Sequence, residues 1–255
     1  MSEKRRERGT VIRNSEISNG IFDMWVRTEE IARLAVPGQF VTLYCEDESR
    51  LLPRPISVCD TDETNRALRV VYRIAGKGTK EFAGLSEGAP LTLAGPFGNG
   101  FPIRKGTSFL IGGGIGIPPM LALAKRLGGE KQMILGFRDK TFLADEFLQY
   151  GPVFVATEDG SAGTKGNVLD AIREHHLDAE RIYACGPLPM LRAVKAYAAE
   201  RGMECYVSLE ERMACGIGAC LGCVCKSKET DAHTNVQNKR ICKEGPVFEA
   251  GEVEF

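Results

Sequence analysis

The stretch MACGIGACLGCVC, Met213 to Cys225, holds four of the nine cysteines of this 255-residue chain. Three of the four follow the spacing C-x4-C-x2-C, and a further cysteine lies near the C-terminus. This is the plant-type spacing for a two-iron two-sulfur cluster, in which the fourth ligand is distant. The interspersed glycines favour a tight loop that can approach bridging sulfides closely. We therefore predict cluster ligation by Cys215, Cys220, Cys223 and Cys242.

Two further readings of this cysteine-rich segment stay open. Zinc sites usually pair their cysteines as two short C-x2-C knuckles, which the x4 gap and the isolated Cys242 fit poorly. The run C-x2-C-x-C also offers Cys225, but Cys223 completes the x2 spacing, so we expect Cys225 to be free. The segment is small and poor in apolar residues, and a metal centre would supply stability that it lacks.

Upstream, from residue 104 to 210, apolar strand-like runs alternate with helix-length amphipathic segments. This rhythm is typical of a doubly wound parallel sheet with crossover helices. IGGGIGIPPM follows the first strand and opens a helix, so its G-x-G-x-x-P pattern can bring backbone N–H groups to a phosphate. A second turn, ACGPLPM, lies at the carboxyl edge of the sheet, where ligands of such folds bind, although Pro187 and Pro189 also suit an ordinary helix start. We predict nucleotide contacts from Gly114, Gly116, Cys185 and Gly186.

Residues 1 to 103 contain short β-rich runs separated by Pro and Gly turn signals, among them QFVTLYC and ALRVVYRI. Such spacing predicts a small antiparallel barrel or sandwich, and we favour the barrel. Within it RPIS begins one strand, and VYR ends another shortly before GKGT. An arginine fork can hold a pyrophosphate, and a nearby hydroxyl can bond to a ring nitrogen. Taken alone, these would be ordinary strand residues.

Residues 10 to 210 resemble the ferredoxin-NADP reductase superfamily. The resemblance rests on four features in this order: Arg-Pro-x-Ser, a strand before Gly-Thr, G-x-G-x-x-P and Cys-Gly-Pro. Adding ERMACGIGACLGCVCK and the terminal CKEGPVF, the whole chain resembles the iron-sulfur electron-transfer subunits of type B dihydroorotate dehydrogenases. The resemblance implies a multidomain protein. Its parts would be an antiparallel β-barrel flavin domain at 1–103, an α/β doubly wound NAD-binding domain at 104–210 and a Cys-rich 2Fe-2S domain at 211–255.

The resemblance also implies an FAD site on the barrel. Arg54 would lie on the pyrophosphate side and Ser57 near the isoalloxazine, while Gly78 and Thr79 would meet the phosphates through backbone and hydroxyl donors. The wider superfamily has Tyr where this chain has Ile56, so aromatic stacking is absent at that position. The implied FAD-binding set is Arg54, Pro55, Ile56, Ser57, Val71, Tyr72, Arg73, Gly78 and Thr79.

The implied activity is electron transfer in pyrimidine (UMP) biosynthesis. Electrons from the FMN of a separate dihydroorotate dehydrogenase catalytic subunit would pass through the cluster to FAD and then to NAD⁺. The assembly would be a heterotetramer with two copies of each subunit. A flavin belongs between a one-electron cluster and a two-electron nicotinamide because it can exchange electrons with both. The oxidation of dihydroorotate has no candidate catalytic residue on this chain.

Two rival functions remain, and the choice of nucleotide rests on resemblance. One rival is a subunit of an NADH-ferredoxin-NADP oxidoreductase or sulfide dehydrogenase, against which the ACGIGACLGC spacing counts. The other is a zinc-stabilised nucleotide-binding regulatory protein. GFRDK combines Asp139, which suits a ribose hydroxyl, with Arg138 and Lys140, which suit a 2′-phosphate, so NAD is chosen by resemblance alone.

Charge and hydropathy exclude several partner classes. Lys and Arg total 33 and Asp and Glu 34, so the net charge of -1 offers no footprint for nucleic acid or an anionic membrane. The N-terminus MSEKRRERGT is not followed by an apolar core of signal-peptide length, and no run approaches the ~20 apolar residues that span a bilayer. We expect a cytoplasmic protein.

Overall fold

The computed structural model describes residues 3–230 and 235–255. The N-terminal part forms six strands and two short helices: β1 Arg5–Ser18, β2 Ile21–Arg27, α1 Ile31–Leu34, β3 Phe40–Leu43, β4 Arg54–Asp62, β5 Ala67–Arg73, α2 Lys77–Ala83 and β6 Pro90–Phe97. The strands close into an antiparallel barrel in the order β1-β2-β5-β4-β3-β6. The predicted barrel is therefore confirmed.

Side-chain alternation along β5 shows how the barrel faces its neighbour. Leu68, Val70 and Tyr72 are buried in the barrel core. Val71 belongs instead to a core shared with the following α/β part of the chain. Because successive residues of a strand point to opposite faces, Arg73 lies on the outer face with Val71, toward the α/β part.

The second part of the chain is an α/β unit with a parallel sheet. Its elements are β7 Ser108–Gly113, a 3-10 turn at Gly114–Gly116, α3 Ile117–Arg126, β8 Lys131–Phe137, α4 Ala144–Phe147, β9 Val153–Thr157, β10 Thr164–Lys165, α5 Val168–Glu174, β11 Arg181–Cys185, α6 Leu188–Arg201 and β12 Glu204–Ser208. The parallel strands follow the order β10-β9-β8-β7-β11-β12. The predicted doubly wound sheet is confirmed. None of the helices in the described ranges is long and apolar enough to cross a membrane.

The C-terminal part forms four short strands, β13 Val224–Ser227, β14 Asn238–Arg240, β15 Val247–Glu249 and β16 Val253–Glu254. Three of them make a small sheet in the order β14-β13-β16. The fourth, β15, pairs antiparallel with β12 and becomes the seventh strand of the large sheet. The apolar side chains of this part also join the core of the large sheet, so packing crosses the domain boundary predicted at 210.

Polar contacts hold the three parts in a fixed arrangement. Buried Arg69 of the barrel binds Asp23 at 2.8 Å within the barrel and Glu146 of α4 at 2.5 Å in the α/β unit. Asn99, just after β6, donates to the carbonyls of Glu244 at 3.1 Å and Val247 at 2.8 Å. The barrel is therefore tied to both of the other parts.

Candidate flavin, nucleotide and cluster sites

The start of β4 and the start of α2 form a positively charged surface. The Arg54 side chain lies directly over Gly78, where an added Cβ would be 2.8 Å from the Arg54 Nη2 atom. Arg54 Nη1 also donates to the Leu52 carbonyl, which orients the guanidinium. The N–H groups in the first turn of a helix have no intrahelical acceptor. Together with the guanidinium, these N–H groups suit a pyrophosphate.

Thr79 is placed beside this surface, but its hydroxyl is engaged locally. Thr79 Oγ1 accepts hydrogen bonds from the N–H groups of Ala75 at 2.8 Å and Gly76 at 3.2 Å, and it donates to the Gly76 carbonyl at 3.1 Å. The side chain therefore shapes the loop before α2. A phosphate would be met by the backbone of Gly78 and Thr79, because the hydroxyl proton already has an acceptor.

The remaining residues predicted from RPIS lie along β4, opposite β3. Pro55 is in register with Thr42, and Ile56 is in register with Val41. Ile56 packs against the barrel core. Because side chains alternate along a strand, Pro55 and Ser57 face the opposite, outer side. Ser57 is half-buried there, where a flavin ring lying against the barrel could reach its hydroxyl.

The VYR segment divides into one inward and two outward side chains. The Tyr72 ring is buried between Phe22, at 5.9 Å between ring centroids, and Phe82, at 6.3 Å. Its hydroxyl donates to Asn14 Oδ1 at 3.2 Å. Any contact of Tyr72 with a flavin would therefore come from its backbone, whereas Val71 and Arg73 face outward.

The two predicted nucleotide turns meet at the carboxyl ends of adjacent parallel strands. Cys185 at the end of β11 is in register with Gly112 of β7. A Cβ on Gly116 would lie 2.6 Å from the Gly186 N atom and closer still to the Cys185 carbonyl. Only glycine permits this approach, so Gly116 lets the two turns form one continuous backbone surface. The structure thus brings Gly114, Gly116, Cys185 and Gly186 together.

A carboxylate that the sequence patterns did not single out lies in the cleft between barrel and sheet. Glu210 follows β12 at the same sheet edge as Cys185. Glu210 is exposed at the protein surface, but the surrounding protein atoms displace enough water from its carboxyl to raise its pKa, while Arg73 acts in the opposite direction. Burial raises the pKa of the Cys185 thiol, and Glu210 adds to that rise. The position of Glu210 just after a strand, like that of Cys185, is the signal that could have found it.

Arg73 connects the barrel to the glycine turn across this cleft. The Arg73 Nη2 atom is 3.9 Å from the position of a Cβ built on Gly114. Further out, an open groove of about 470 Å³ is lined by the β1–β2 hairpin, by Asp139 and Lys140 and by Ser161 and Ala162. This groove continues the glycine turn along the carboxyl ends of β8 and β9, where the second half of a dinucleotide would extend.

The four predicted cluster cysteines lie near one another as two pairs. Cys215 accepts from the Cys220 N–H at 3.4 Å, and the Cys223 sulfur accepts from the Cys242 N–H at 3.5 Å. Cys215 is also close enough to act electrostatically on Cys242. In residues 3–230 and 235–255, no three Cys, His, Asp or Glu side chains converge as ligands of a single metal ion. Four cysteines grouped as two pairs suit a two-iron cluster, in which each iron takes two cysteine ligands.

The backbone around the first pair favours a thiolate, which is the form that binds iron. Burial alone would raise the pKa of Cys215, but N–H groups of Cys220, Ile217 and Ala219 point at its sulfur and lower the pKa to about 6. Burial, and then the neighbouring Cys223 sulfur, raise the pKa of Cys242 to about 12. Iron would therefore displace a proton at Cys242.

Cys225 is set apart from these pairs. It lies in β13, where it is in register with Lys239 of β14, and its Sγ donates to the Lys239 carbonyl at 3.5 Å. Burial raises the pKa of this thiol. A protonated thiol with a backbone acceptor is suited to packing, and the expectation that Cys225 is not a ligand stays a prediction.

The fold and its sites define a reductase of the ferredoxin-NADP reductase class. The barrel carries a surface suited to phosphate, the glycine turn of the doubly wound sheet faces a barrel arginine, and a cysteine loop follows. A solved structure of an NADH-dependent reduced ferredoxin-NADP oxidoreductase superposes with a TM-score of 0.86 at 30% identity, covering 96% of this chain and 89% of the other. A flavohemoglobin from Malassezia yamatoensis shares the fold at 20% identity, with a TM-score of 0.64 over 78% of this chain and 57% of the other.

The family follows from the sequence comparisons. Residues 210–254 match the model described as the iron-sulfur cluster binding domain of dihydroorotate dehydrogenase B. The chain is 42% identical to the dihydroorotate dehydrogenase B (NAD(+)) electron transfer subunit of Bacillus velezensis, covering 96% of this chain and 97% of that one. It is 40% identical to the subunit of the same name from Fusobacterium nucleatum, with the same coverage. The chain belongs to the family of dihydroorotate dehydrogenase B electron transfer subunits.

Proposed function

We propose that this chain carries electrons from a dihydroorotate dehydrogenase catalytic subunit to NAD⁺, through a two-iron two-sulfur cluster and FAD. The cluster accepts and gives single electrons, and the flavin converts them into the hydride that a nicotinamide takes. The chain's own residues bind and orient these groups. The cluster would be held by Cys215, Cys220, Cys223 and Cys242.

One observation carries this proposal: the flavin strand β4 lies between the cluster loop and the nucleotide turn. A Cβ on Gly216, in the cluster loop, would be 3.1 Å from the Thr42 Cγ2 atom, and Thr42 pairs with Pro55. On the other side, Arg73 of β5 reaches toward Gly114. A flavin resting on the outer face of β4 and β5 would therefore be close to both of its electron-transfer partners.

The FAD would be bound mainly by backbone groups and one guanidinium. Arg54 and the first turn of α2 would hold the pyrophosphate, and Ser57 and Arg73 would face the isoalloxazine. Pro55, Ile56, Val71 and Tyr72 would contribute backbone, and Gly78 and Thr79 would contribute N–H groups. We assign this role to the barrel of residues 1–103, and NAD binding and cluster binding to residues 104–210 and 211–255.

NAD⁺ would lie across the turns of Gly114–Gly116 and Cys185–Gly186, with its phosphates against the glycine turn. Its adenosine half would occupy the groove beside Asp139. The chain works with a catalytic subunit, and we propose a heterotetramer containing two copies of each subunit. The cytoplasm is the proposed compartment, because iron-binding thiols need a reducing environment.

The ligand set is tested by a pair of cysteine substitutions in the full chain. Cys242→Ser should abolish or severely destabilise the cluster and block electron transfer from the catalytic subunit. Flavin binding and NADH oxidation with an artificial acceptor should survive. The matched control, Cys225→Ser, should keep the visible spectrum and the electron paramagnetic resonance signal of the cluster.

The opposite result would overturn the assignment. If Cys225→Ser lost iron while Cys242→Ser retained it, the tail that carries Cys242 would serve packing alone. A wild-type chain that purified with zinc and without flavin colour would refute the electron-transfer proposal as a whole. Co-purification with an FMN-bearing dehydrogenase subunit would separate the proposed function from that of an NADH-ferredoxin-NADP oxidoreductase subunit.

A further inference from the structure

Arg240, two residues before Cys242, links the C-terminal tail to the cluster loop. Its Nε and Nη2 atoms bind the two carboxylate oxygens of Glu244 at 3.1 and 2.6 Å. Its third nitrogen, Nη1, donates to the Gly218 carbonyl at 3.0 Å. The Arg240 side chain is 19% exposed, so most of this network is shielded from water. One guanidinium thus fixes the tail and the middle of the Cys215–Cys220 loop at once.

The peptide held by Arg240 also contacts a predicted cluster ligand. The Gly218 carbonyl and the Ala219 N–H belong to the same planar peptide, and in a trans peptide they point in opposite directions. The carbonyl accepts from Arg240, so the Ala219 N–H points away from Arg240, and the next N–H along the loop, that of Cys220, donates to the Cys215 sulfur at 3.4 Å. Gly218 itself has a φ of +84°, a left-handed conformation that turns the loop at this peptide. Arg240 therefore orients the backbone segment that leads directly into the donor of the Cys215 sulfur.

Hydrogen bonds to the cysteine sulfurs are among the features that set the reduction potential of an iron-sulfur cluster. Donors stabilise the reduced form because it carries one more negative charge. A charged donor on the far side of the peptide polarises the N–H and strengthens its bond to sulfur. We propose that Arg240 is a positioning residue that sets the reduction potential of the cluster through the Gly218–Ala219 peptide. This inference rests on the proposed function, since it needs the cluster to be present.

Glu244 and Asn99 keep Arg240 in place. The Glu244 carboxylate accepts three hydrogen bonds from Arg240, from its backbone N–H at 2.7 Å and from its Nε and Nη2 atoms at 3.1 and 2.6 Å. Asn99 binds the backbone on both sides of the Gly245–Pro246 turn, donating to the Glu244 and Val247 carbonyls and accepting from the Val247 N–H at 3.0 Å. The guanidinium is therefore anchored through Glu244 to the barrel that carries the flavin.

The test is a redox titration of the full flavin- and cluster-loaded chain, monitored by the electron paramagnetic resonance signal of the reduced cluster. Arg240→Gln should lower the equilibrium constant for cluster reduction by on the order of tenfold, which is 59 mV for a one-electron couple. Arg240→Lys should lower it similarly, because one ammonium cannot reproduce the fork that binds Glu244 and Gly218 together. The control Lys239→Gln removes a neighbouring cation that pairs with Glu252 at 3.0 Å, and it should change the constant by no more than about twofold.

Each outcome decides the inference. Equal shifts in Arg240→Gln and Lys239→Gln, or a wild-type potential in Arg240→Lys, would show that charge alone acts and would refute peptide positioning. If Arg240→Gln does not load iron, Glu244→Gln is titrated instead, because it keeps the Arg240 cation but weakens the pair that holds it. An unchanged reduction potential in Glu244→Gln would refute the inference. A wild-type chain lacking the two-iron signal would refute the proposed function instead, so the two failures are distinguishable.

Discussion

Replacing Gly116 with alanine should weaken hydride exchange between nicotinamide and flavin. The φ angle of Gly116 is -80°, which any residue adopts, so the effect of Gly116→Ala is steric. The new Cβ would lie 2.6 Å from the Gly186 N atom and closer to the Cys185 carbonyl, where ordinary contact begins near 3.4 Å. The obstacle is backbone and cannot rotate away. The two turns must therefore separate by roughly 1 Å, as expected for an overpacked site.

Two magnitudes follow from this displacement. Overpacking of this kind costs about 1–3 kcal/mol in stability, and each kcal/mol lowers the Tm by about 2–4 °C in a chain of this size. Misplacing a reacting group by 1 Å can cost about 100-fold in rate. We expect the rate of flavin reduction by NADH in Gly116→Ala to fall about 10- to 100-fold, with FAD and iron content unchanged.

The assay is stopped-flow reduction of the flavin by NADH, followed at the flavin absorbance, alongside thermal unfolding. Gly128 is the matched control, because a Cβ there would meet no atom within 4 Å, and Gly128→Ala should leave the reduction rate and Tm unchanged. Gly114 separates strain from crowding. Its φ is +53°, and a Cβ there would be 3.9 Å from the Arg73 Nη2 atom, so Gly114→Ala should cost only the ~1–2 kcal/mol of a left-handed residue. Wild-type reduction kinetics and Tm in Gly116→Ala would refute the contact between the two turns.

Two other predictions concern the flavin cleft. Arg54→Ala should weaken FAD binding at least about tenfold, since a charged hydrogen bond contributes ~1.5–3 kcal/mol. Equilibrium dialysis measures the affinity, with exposed Lys80→Ala as the control. Equal FAD affinities of Arg54→Ala and the wild type would contradict the pyrophosphate site. The raised pKa of Glu210 means that the folded chain holds this proton more tightly than the unfolded chain does. The free energy of unfolding of the wild type, relative to that of Glu210→Gln, should therefore fall as pH rises above the ordinary value of 4.5. The fall should stop once the pH passes the folded-state pKa. Calorimetry across pH measures this difference, and a relative stability of the wild type that rises with pH would contradict the prediction.

Local patterns predicted the architecture because each depends on neighbouring residues. The G-x-G-x-x-P turn follows a buried strand and precedes a helix, and both neighbours form as expected. Alternating apolar residues and turn signals likewise predicted the barrel. The orientation of single side chains was less accessible. Tyr72 turns inward because the register of β5 places it opposite Phe22, and Thr79 bonds to its own loop, which spacing does not reveal.

Glu210 and Arg240 escaped prediction because their roles come from contacts between distant segments. The pKa of Glu210 is raised by burial among the elements packed around it and lowered by Arg73 of the barrel, and in the sequence only its position just after a strand marks it. Arg240 is one of many basic residues in a polar stretch, and it becomes distinctive only where the tail folds back onto Gly218. Motif spacing identifies ligands, whereas the residues that orient those ligands depend on tertiary packing.

The packing of the tail also changes what loss of the cluster should do to the fold. Composition predicts that residues 211–255 depend on metal for stability. In the structure β15 hydrogen-bonds to β12, and Ile241, Phe248 and Val253 are buried in the core of the large sheet. Burying three such side chains contributes several kcal/mol, at about 1.5–3 kcal/mol each, and this contribution does not require iron. Cys242→Ser should therefore remove the cluster while the tail stays docked, so the flavin and nucleotide sites on the other two parts remain assembled.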